Sequence, residues 1–175
     1  MVGTPVHRGD VTVSQFCENF TQLSQYHGIH YAKILDSHGR WVEPGGTGVV
    51  ISMEGSEHSD FQFQEENGVV TAVSFTVTAS GSMMFSGEQD RLLLTAMAFG
   101  CTGDGFGIFS GARERMLNTI IEHPFESFRF SEDGILMECR VEYTGYHLSG
   151  GTAPILIPAE EEPAQFSLTF TISKT

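Results

Sequence analysis

The sequence predicts a mainly β chain. It would form a single antiparallel β-barrel of about eight or more strands, with a short helix near its N-terminal end. Three observations predict this. Several segments alternate apolar and polar residues with a period of two, the period of a strand with one dry and one wet face. Turn signals rich in Gly, Asn, Asp and Pro punctuate those segments at short intervals. Glycine accounts for 20 of the 175 residues, above the usual ~7%, while one helical pattern stands out. A barrel is favoured over a sandwich because a small closed barrel leaves no open edge and can hold one small ligand. The length fits one domain over 1–175, long enough to bury a core without disulfide or metal staples.

Residues 1–10 read as a loose lead-in. Val13, Phe16, Cys17, Phe20 and Leu23 then follow at i, i+3, i+4, i+7 and i+10, the apolar stripe of a helix. Thr12-x-x-Gln15 has the form of a capping box, and Gly28 that of a stop. The stripe would seat this helix against a sheet or plug one end of a barrel. Beyond it the expected strands are 29–35, 47–54, 59–65, 69–79, 81–86, 91–99, 107–120, 125–131, 134–144 and 165–173. Thr71, Val73, Phe75 and Val77 share one face, with Val70, Ala72, Ser74 and Thr76 opposite. Ile135, Met137, Cys139, Val141 and Tyr143 share another, with Leu136, Glu138, Arg140 and Glu142 pointing away. Phe166, Leu168, Phe170 and Ile172 alternate with Ser167, Thr169, Thr171 and Ser173. The turns are expected at Ser37-His38-Gly39, Pro44-Gly45-Gly46, Glu66-Asn67-Gly68, Ser86-Gly87 and Glu132-Asp133-Gly134. Residues 145–164 carry three of the six prolines and read as a long loop before the last strand. Glu160, Glu161 and Glu162 there form a solvated acidic face.

Charge and composition exclude several classes. Nine basic against 22 acidic residues leave a net charge of −13. Such a surface repels phosphate backbones and anionic lipid, so nucleic acid and membrane are not expected as partners. Fourteen phenylalanines and a 40% apolar fraction argue against disorder. Cys17, Cys101 and Cys139 are odd in number and form no CxxC pair, so a reducing, cytoplasmic compartment is expected. The first residues lack the apolar run of a signal peptide, and no stretch approaches the ~18 apolar residues of a membrane span. Asn19-Phe20-Thr21 spells a glycosylation sequon that has no use without a secretory signal.

No P-loop, dinucleotide fingerprint, HExxH or Gly-x-Ser-x-Gly is present, which argues against nucleotide enzymes, zincins and common hydrolases. Gly103-x-Gly105-x-Gly107 lacks the following helix and acidic ribose partner and reads as a hairpin turn. His27 and His30 point to opposite faces if they lie on a strand, so no metal is expected. Cys139 sits on an apolar face and reads either as a packed core thiol or as a nucleophile awaiting a base. Phe61, Phe63, Phe75, Phe99, Phe128 and Phe130, with Met137, either fill the core or line a cavity for an apolar ligand. Tyr31, Tyr143 and Tyr146 could orient a carbonyl. Glu18 and Asn19 lie off the helix stripe, solvated or at a cavity mouth. Glu54 shares a face with Val50 and Ser52 and, if that face is luminal, would be a buried carboxyl suited to acid–base work.

The central region resembles the allene oxide cyclase and dirigent superfamily. The resemblance runs through Leu94-Thr95-Ala96-Met97-Ala98-Phe99-Gly100-Cys101-Thr102-Gly103 and Gly107-Ile108-Phe109-Ser110-Gly111-Ala112-Arg113. It continues at His123-Pro124-Phe125-Glu126-Ser127-Phe128, where a Pro precedes an aromatic strand. The segments from Gly39 to Gly48 and after Gly68 fit the same order of hairpins, so the match covers about half the chain. It departs at the Thr-Gly-Asp-Gly-Phe insertion and in the N-terminal third, where a helix replaces the family's polar first strands. No catalytic residue is therefore carried over. The resemblance implies an eight-stranded, calycin-like barrel with an apolar lumen, cyclases that work without cofactors, and possible homo-oligomers.

The function expected from these readings is a cofactor-free cyclase or isomerase, including a pericyclase of the four-plus-two type, in natural-product biosynthesis. It would fold an apolar, polyunsaturated small molecule into a reactive shape, since holding reacting ends together removes several kcal/mol of barrier. Tyr31, Glu54, Cys139 and Tyr143 are the expected catalytic groups, hydrogen-bonding a carbonyl as charge shifts. Two alternatives remain open: a lipocalin-like carrier that returns its hydrophobic ligand unchanged, and a β-domain with a filled interior and a purely structural role.

Overall fold

The computed structural model describes residues 6–26, 34–42, 56–58, 61–84, 114–115, 118–119, 122–123, 125–132, 134–150 and 155–174. In chain order its elements are helix α1 (Val13–Tyr26) and strands β1 (Ile34–Leu35), β2 (Trp41–Val42), β3 (Ser56–His58), β4 (Gln62–Glu66), β5 (Val69–Ala79), β6 (Met83–Met84), β7 (Phe128–Glu132), β8 (Ile135–Thr144), β9 (Tyr146–Leu148), β10 (Ile155–Pro158) and β11 (Gln165–Lys174).

The start of α1 is fixed by the capping box. The Thr12 N–H donates to Gln15 Oε1 at 3.0 Å, and the Gln15 N–H donates to Thr12 Oγ1 at 3.2 Å. Two backbone donors that the first turn leaves orphaned are thereby satisfied. Thr12→Ala is expected to cost about 1 kcal/mol of stability, read as a lower urea midpoint, with Thr12→Ser recovering most of it. The stripe lands as its period predicts, with Phe16, Cys17 and Phe20 all buried.

Strands β5, β8 and β11 form the centre of a six-stranded sheet in the order β3–β5–β11–β8–β7, with β4 pairing β5 alongside β3. All of these pairings are antiparallel. Two hairpins come from local chemistry. Asn67 (φ 53°) and Gly68 (φ 80°) supply the two left-handed residues that a tight β4–β5 turn requires. Gly134 (φ 77°) does the same work between β7 and β8. A three-stranded sheet, β6–β10–β9, and the β1–β2 pair complete the strands among the described residues.

Register puts the alternating residues in cross-strand rows. Phe128, Cys139, Phe170 and Phe75 form one row, and Phe130, Met137, Ile172, Val73 and Phe63 the next. Val141, Leu168 and Val77 follow, then Tyr143, Phe166 and Ala79. These rows make a continuous apolar face. The opposite face carries Arg129, Glu138, Thr171 and Ser74 in one row and Arg140, Thr169 and Thr76 in another. Helix α1 packs on the apolar face, and the Val70 N–H donates to the Val11 carbonyl at 2.8 Å to join the lead-in to β5.

The structure corrects five expectations. Asn19, expected solvated or at a cavity mouth, is fully buried, its amide donating to the His7 carbonyl at 3.0 Å and its oxygen accepting from the His7 N–H at 2.9 Å. Val70 belongs to the buried core, although simple alternation puts it on the wet face. The pairing of β4 with β5 shifts between Gln64 and Glu65, so one extra β5 residue resets the alternation there. Residues 145–164 are not one loop, because they contain β9 and β10, and Leu156 of β10 is fully buried. The prolines that suggested a loop leave Ile155-Leu156-Ile157 free to pair, and Pro158 falls at the strand end, where a missing N–H is tolerated. Residues 114–115, 118–119 and 122, expected within or just after a strand over 107–120, are helical. The His123 N–H donates to the Thr119 carbonyl at 2.9 Å, an i to i−4 bond. Their sequence, Glu114-Arg115-Met116-Leu117, is rich in helix formers and lacks period-2 alternation. Last, β6 keeps two residues of the expected 81–86.

The coarser expectation, a mainly β chain with a short N-terminal helix, is what the molecule is. Among the described residues the large sheet runs from β7 to β3 and β4, and these margins are not hydrogen-bonded to each other. The expected strands 47–54 and 91–99 lie outside the described residues.

Candidate functional site

Helix α1 fills the middle of the apolar face with rings. Phe16 meets Phe61 edge-on at 5.9 Å and Phe63 at 5.2 Å. Phe20 meets Phe61 at 5.2 Å, Phe61 meets Phe75 at 5.7 Å, and Phe75 meets Phe170 at 5.3 Å. Rings at these separations touch, so nothing fits between them. Phe61 and Phe75, read as core or as cavity wall, are therefore packed against α1 and β11. Phe63 is half-buried beside them. Phe128 stacks on Phe130 at 5.9 Å, and the Arg115 guanidinium lies 4.5 Å from the Phe130 ring centre. Met137 is buried next to Phe130 in the same row. Tyr31, Glu54 and Phe99 lie outside the described residues.

Cys139 is buried in the row between Phe128 and Phe170. Burial pushes its thiol up to about 12. Burial does the same to Cys17, also to about 12, outweighing a backbone hydrogen bond from Gly39. Thiolate is the reacting form, so both are inert at neutral pH. With Cys101 replaced by Ser, the native chain is expected not to react with an aromatic disulfide reagent at pH 8, and to react at two thiols once unfolded. The sign of the linkage is also definite. Each thiol's folded pKa lies above its ordinary 9.0. Their contribution to stability is thus complete below pH 9 and is lost as pH rises from 9 towards 12.

Burial fades along β8. Ile135, Met137 and Cys139 are buried, Val141 is half-buried, and Tyr143 is 39% exposed. Beyond the reach of α1 the face is lined by a second aromatic group. Tyr143 meets Tyr146 edge-on at 6.2 Å, Tyr146 meets Phe166 at 6.4 Å, and Phe166 meets Phe125 at 6.2 Å. The Tyr146 hydroxyl donates to the Gly81 carbonyl at 2.8 Å. Burial raises its pKa above the ordinary phenol value. Where β5, β8 and β11 end here, a depression of about 580 Å³ opens, lined by Thr78, Ala79, Glu142, Tyr143, Gln165 and Phe166 among others. Of the four expected catalytic residues, Tyr143 is the described one that reaches this space, and Cys139 does not.

A second depression, of about 380 Å³, lies between β7, β8 and β11. Arg129, Glu138, Arg140, Thr169 and Thr171 line it. The sequence reading placed Glu138, Arg140, Thr169 and Thr171 on a wet face and sought no site there. Two arginines at alternate-face positions on paired strands, in a chain with nine basic residues, were the available signal. Among the described residues no three His, Cys, Asp or Glu side chains gather into a metal-holding set, and no helix is long and apolar enough to cross a membrane.

No protein-family model, curated protein or solved structure matches this chain, so what it does must be read from its own residues.

Proposed function

We propose that this protein binds a small apolar molecule at the Tyr143 end of its sheet. The observation that carries the reading is the roughly 580 Å³ depression beside an exposed tyrosine and an aromatic cluster. Ligand sites usually run about 300–1,000 Å³, with apolar walls and a few polar groups that fix orientation. Tyr143, Phe166 and Ala79 border it from the apolar face, and Thr78, Glu142, Gln165 and Ser167 from the opposite face, where the three strands end. The lipocalin-like carrier is the simplest form of this reading. The barrel expected from the sequence is its finer form, and it requires the β7 margin to join the β3–β4 margin through further strands.

Catalysis is the second form, and the Tyr143 phenol favours it. An exposed phenol on the wall of an apolar site can donate to a substrate carbonyl and stabilise charge that develops there. The reaction class is then a cofactor-free ring closure or isomerisation, in which confinement brings reacting ends together. Cys139, with its thiol pushed up to about 12, contributes packing to this scheme rather than chemistry.

The test is titration with a neutral apolar fluorescent dye. Saturable binding is expected, and Tyr143→Ala should weaken it several-fold without lowering the melting temperature. Absence of binding would remove the proposal. Incubation with polyunsaturated carbonyl compounds then separates the two forms: a carrier returns its ligand, whereas an isomerase returns a product of equal mass and different retention. In the second case Tyr143→Phe should slow turnover more than it weakens binding.

A further inference from the structure

Left-handed backbone is common at glycine, tolerated by asparagine and costly for a bulky side chain. Among the described residues with such a backbone, Gly9, Gly39, Asn67, Gly68, Gly134 and Gly145 follow that preference. Phe125, at φ 61°, does not. It falls in the turn His123-Pro124-Phe125-Glu126, which the Glu126 N–H closes by donating to the His123 carbonyl at 3.3 Å. A turn with Pro in second place and a left-handed residue in third normally takes Gly or Asn in third. This chain places a phenylalanine there.

Burial holds it in place. The Phe125 side chain is 5% exposed, whereas His123, Glu126 and Ser127 around it are exposed. Its ring meets Phe166 edge-on at 6.2 Å, and Phe166 borders the depression at the Tyr143 end of the sheet from the apolar face. Both ends of the turn are pinned. On the helical side, the His123 N–H donates to the Thr119 carbonyl at 2.9 Å. On the other side, the Val141 N–H donates to Ser127 Oγ at 2.9 Å, and that hydroxyl donates to the Val141 carbonyl at 3.3 Å. A strained residue thus sits between two fixed points, with its ring against a wall of the apolar site. Strain of this kind persists only where surrounding contacts impose it, and it narrows the gap to a state in which it is released.

We propose that Phe125 is the gate of the apolar site. In the structure the gate is closed, and the ring backs Phe166. In the open state residue 125 returns to an ordinary backbone, the ring swings out between the two pins, and the space behind Phe166 joins the depression. A bound apolar ligand then replaces the contact that the ring gave up. The inference rests on the reading given under the proposed function and adds how entry to that site is controlled.

The test is stopped-flow mixing with prodan, a neutral naphthalene ketone whose fluorescence reports apolar surroundings. In the unaltered protein the observed binding rate should level off as prodan is raised, because opening then limits binding. Phe125→Ala and Phe125→Gly remove the ring. Both should bind at a rate that keeps rising with prodan, and several-fold more tightly, since no closed state competes. Strain has its own readout. Glycine accepts this backbone and alanine does not, so Phe125→Gly should be the more stable of the two in urea, by about fivefold in the folding equilibrium. Phe125→Leu, which keeps a smaller apolar plug, should raise the plateau, and it serves if the other variants fail to fold. A rate that rises in proportion to prodan throughout in the unaltered protein, or a plateau that the substitutions leave unchanged, would overturn the gate and leave the apolar site standing. Alanine matching glycine in stability would overturn it as well. Prodan binding by the variants alone would show a cavity made by the substitution, and would overturn it too. Failure of every form to bind would remove the gate and the apolar site together.

Discussion

Phe16→Ala is expected to cost about 3–5 kcal/mol of unfolding free energy, the range for removing a fully buried aromatic ring. Phe16 has no solvent exposure. Its ring touches Phe20, Phe61 and Phe63 at centroid distances of 6.3, 5.9 and 5.2 Å. It therefore joins the helix to the β4 side of the sheet. Domains of this size hold only about 5–15 kcal/mol in total, so the loss is a large share of the whole. Urea unfolding followed by far-ultraviolet circular dichroism measures it. Phe16→Leu, which keeps most of the apolar volume, should recover more than half. A loss below about 0.5 kcal/mol, the level of an ordinary surface change, would show that α1 is not docked on this face.

Gly145→Ala is the second large effect, and it has an internal control. Gly145 sits between β8 and β9 at φ +72°, and a Cβ there would meet the Pro163 carbonyl oxygen at 2.3 Å. Gly134 has nearly the same φ, +77°, and a Cβ there meets nothing within 4 Å. Left-handed backbone alone costs an ordinary residue about 1–2 kcal/mol, so Gly134→Ala should lose that much. Gly145→Ala should lose clearly more, because the obstructing atom is backbone. The same clash would push Pro163 away and disturb the Ala159 N–H bond to the Gly145 carbonyl, now 2.8 Å. Equal melting temperatures for the two variants would show that the chain gives way at Pro163 at little cost.

Both predictions rest on features that differ in how far the chain announces them. The capping box of α1, the Asn67-Gly68 turn and the alternating faces of β5, β8 and β11 could all be read from the residues. Each depends on side chains and backbone groups within a few positions of one another. The partners of those strands could not be read in this way. That β11, the last strand, lies between β5 and β8 is a long-range pairing, and many strand orders satisfy the same alternation. The candidate site shows the same division. Cys139 and Tyr143 sit on one face by simple counting, yet one is buried and the other 39% exposed. The difference arises from what lies above them. Phe128 and Phe170 flank Cys139 in its row, while Tyr143 stands at the end of the sheet beside the opening where β5, β8 and β11 finish.

From the residues alone came the mainly β class of chain, its N-terminal helix, the Asn67-Gly68 and Gly134 turns, and which side of β8, of β11 and of most of β5 is dry. These follow from short-range chemistry: the 3.6 and 2.0 residue periods, a side-chain cap, and the tolerance of Asn and Gly for left-handed backbone. Folding in three dimensions settled which of the described strands meet, that α1 packs on the middle of the apolar face, and that Arg129 and Arg140 come to share one depression. Those outcomes depend on packing between residues far apart in the chain, where a shift such as the one between Gln64 and Glu65 can move Val70 from the wet face to the core.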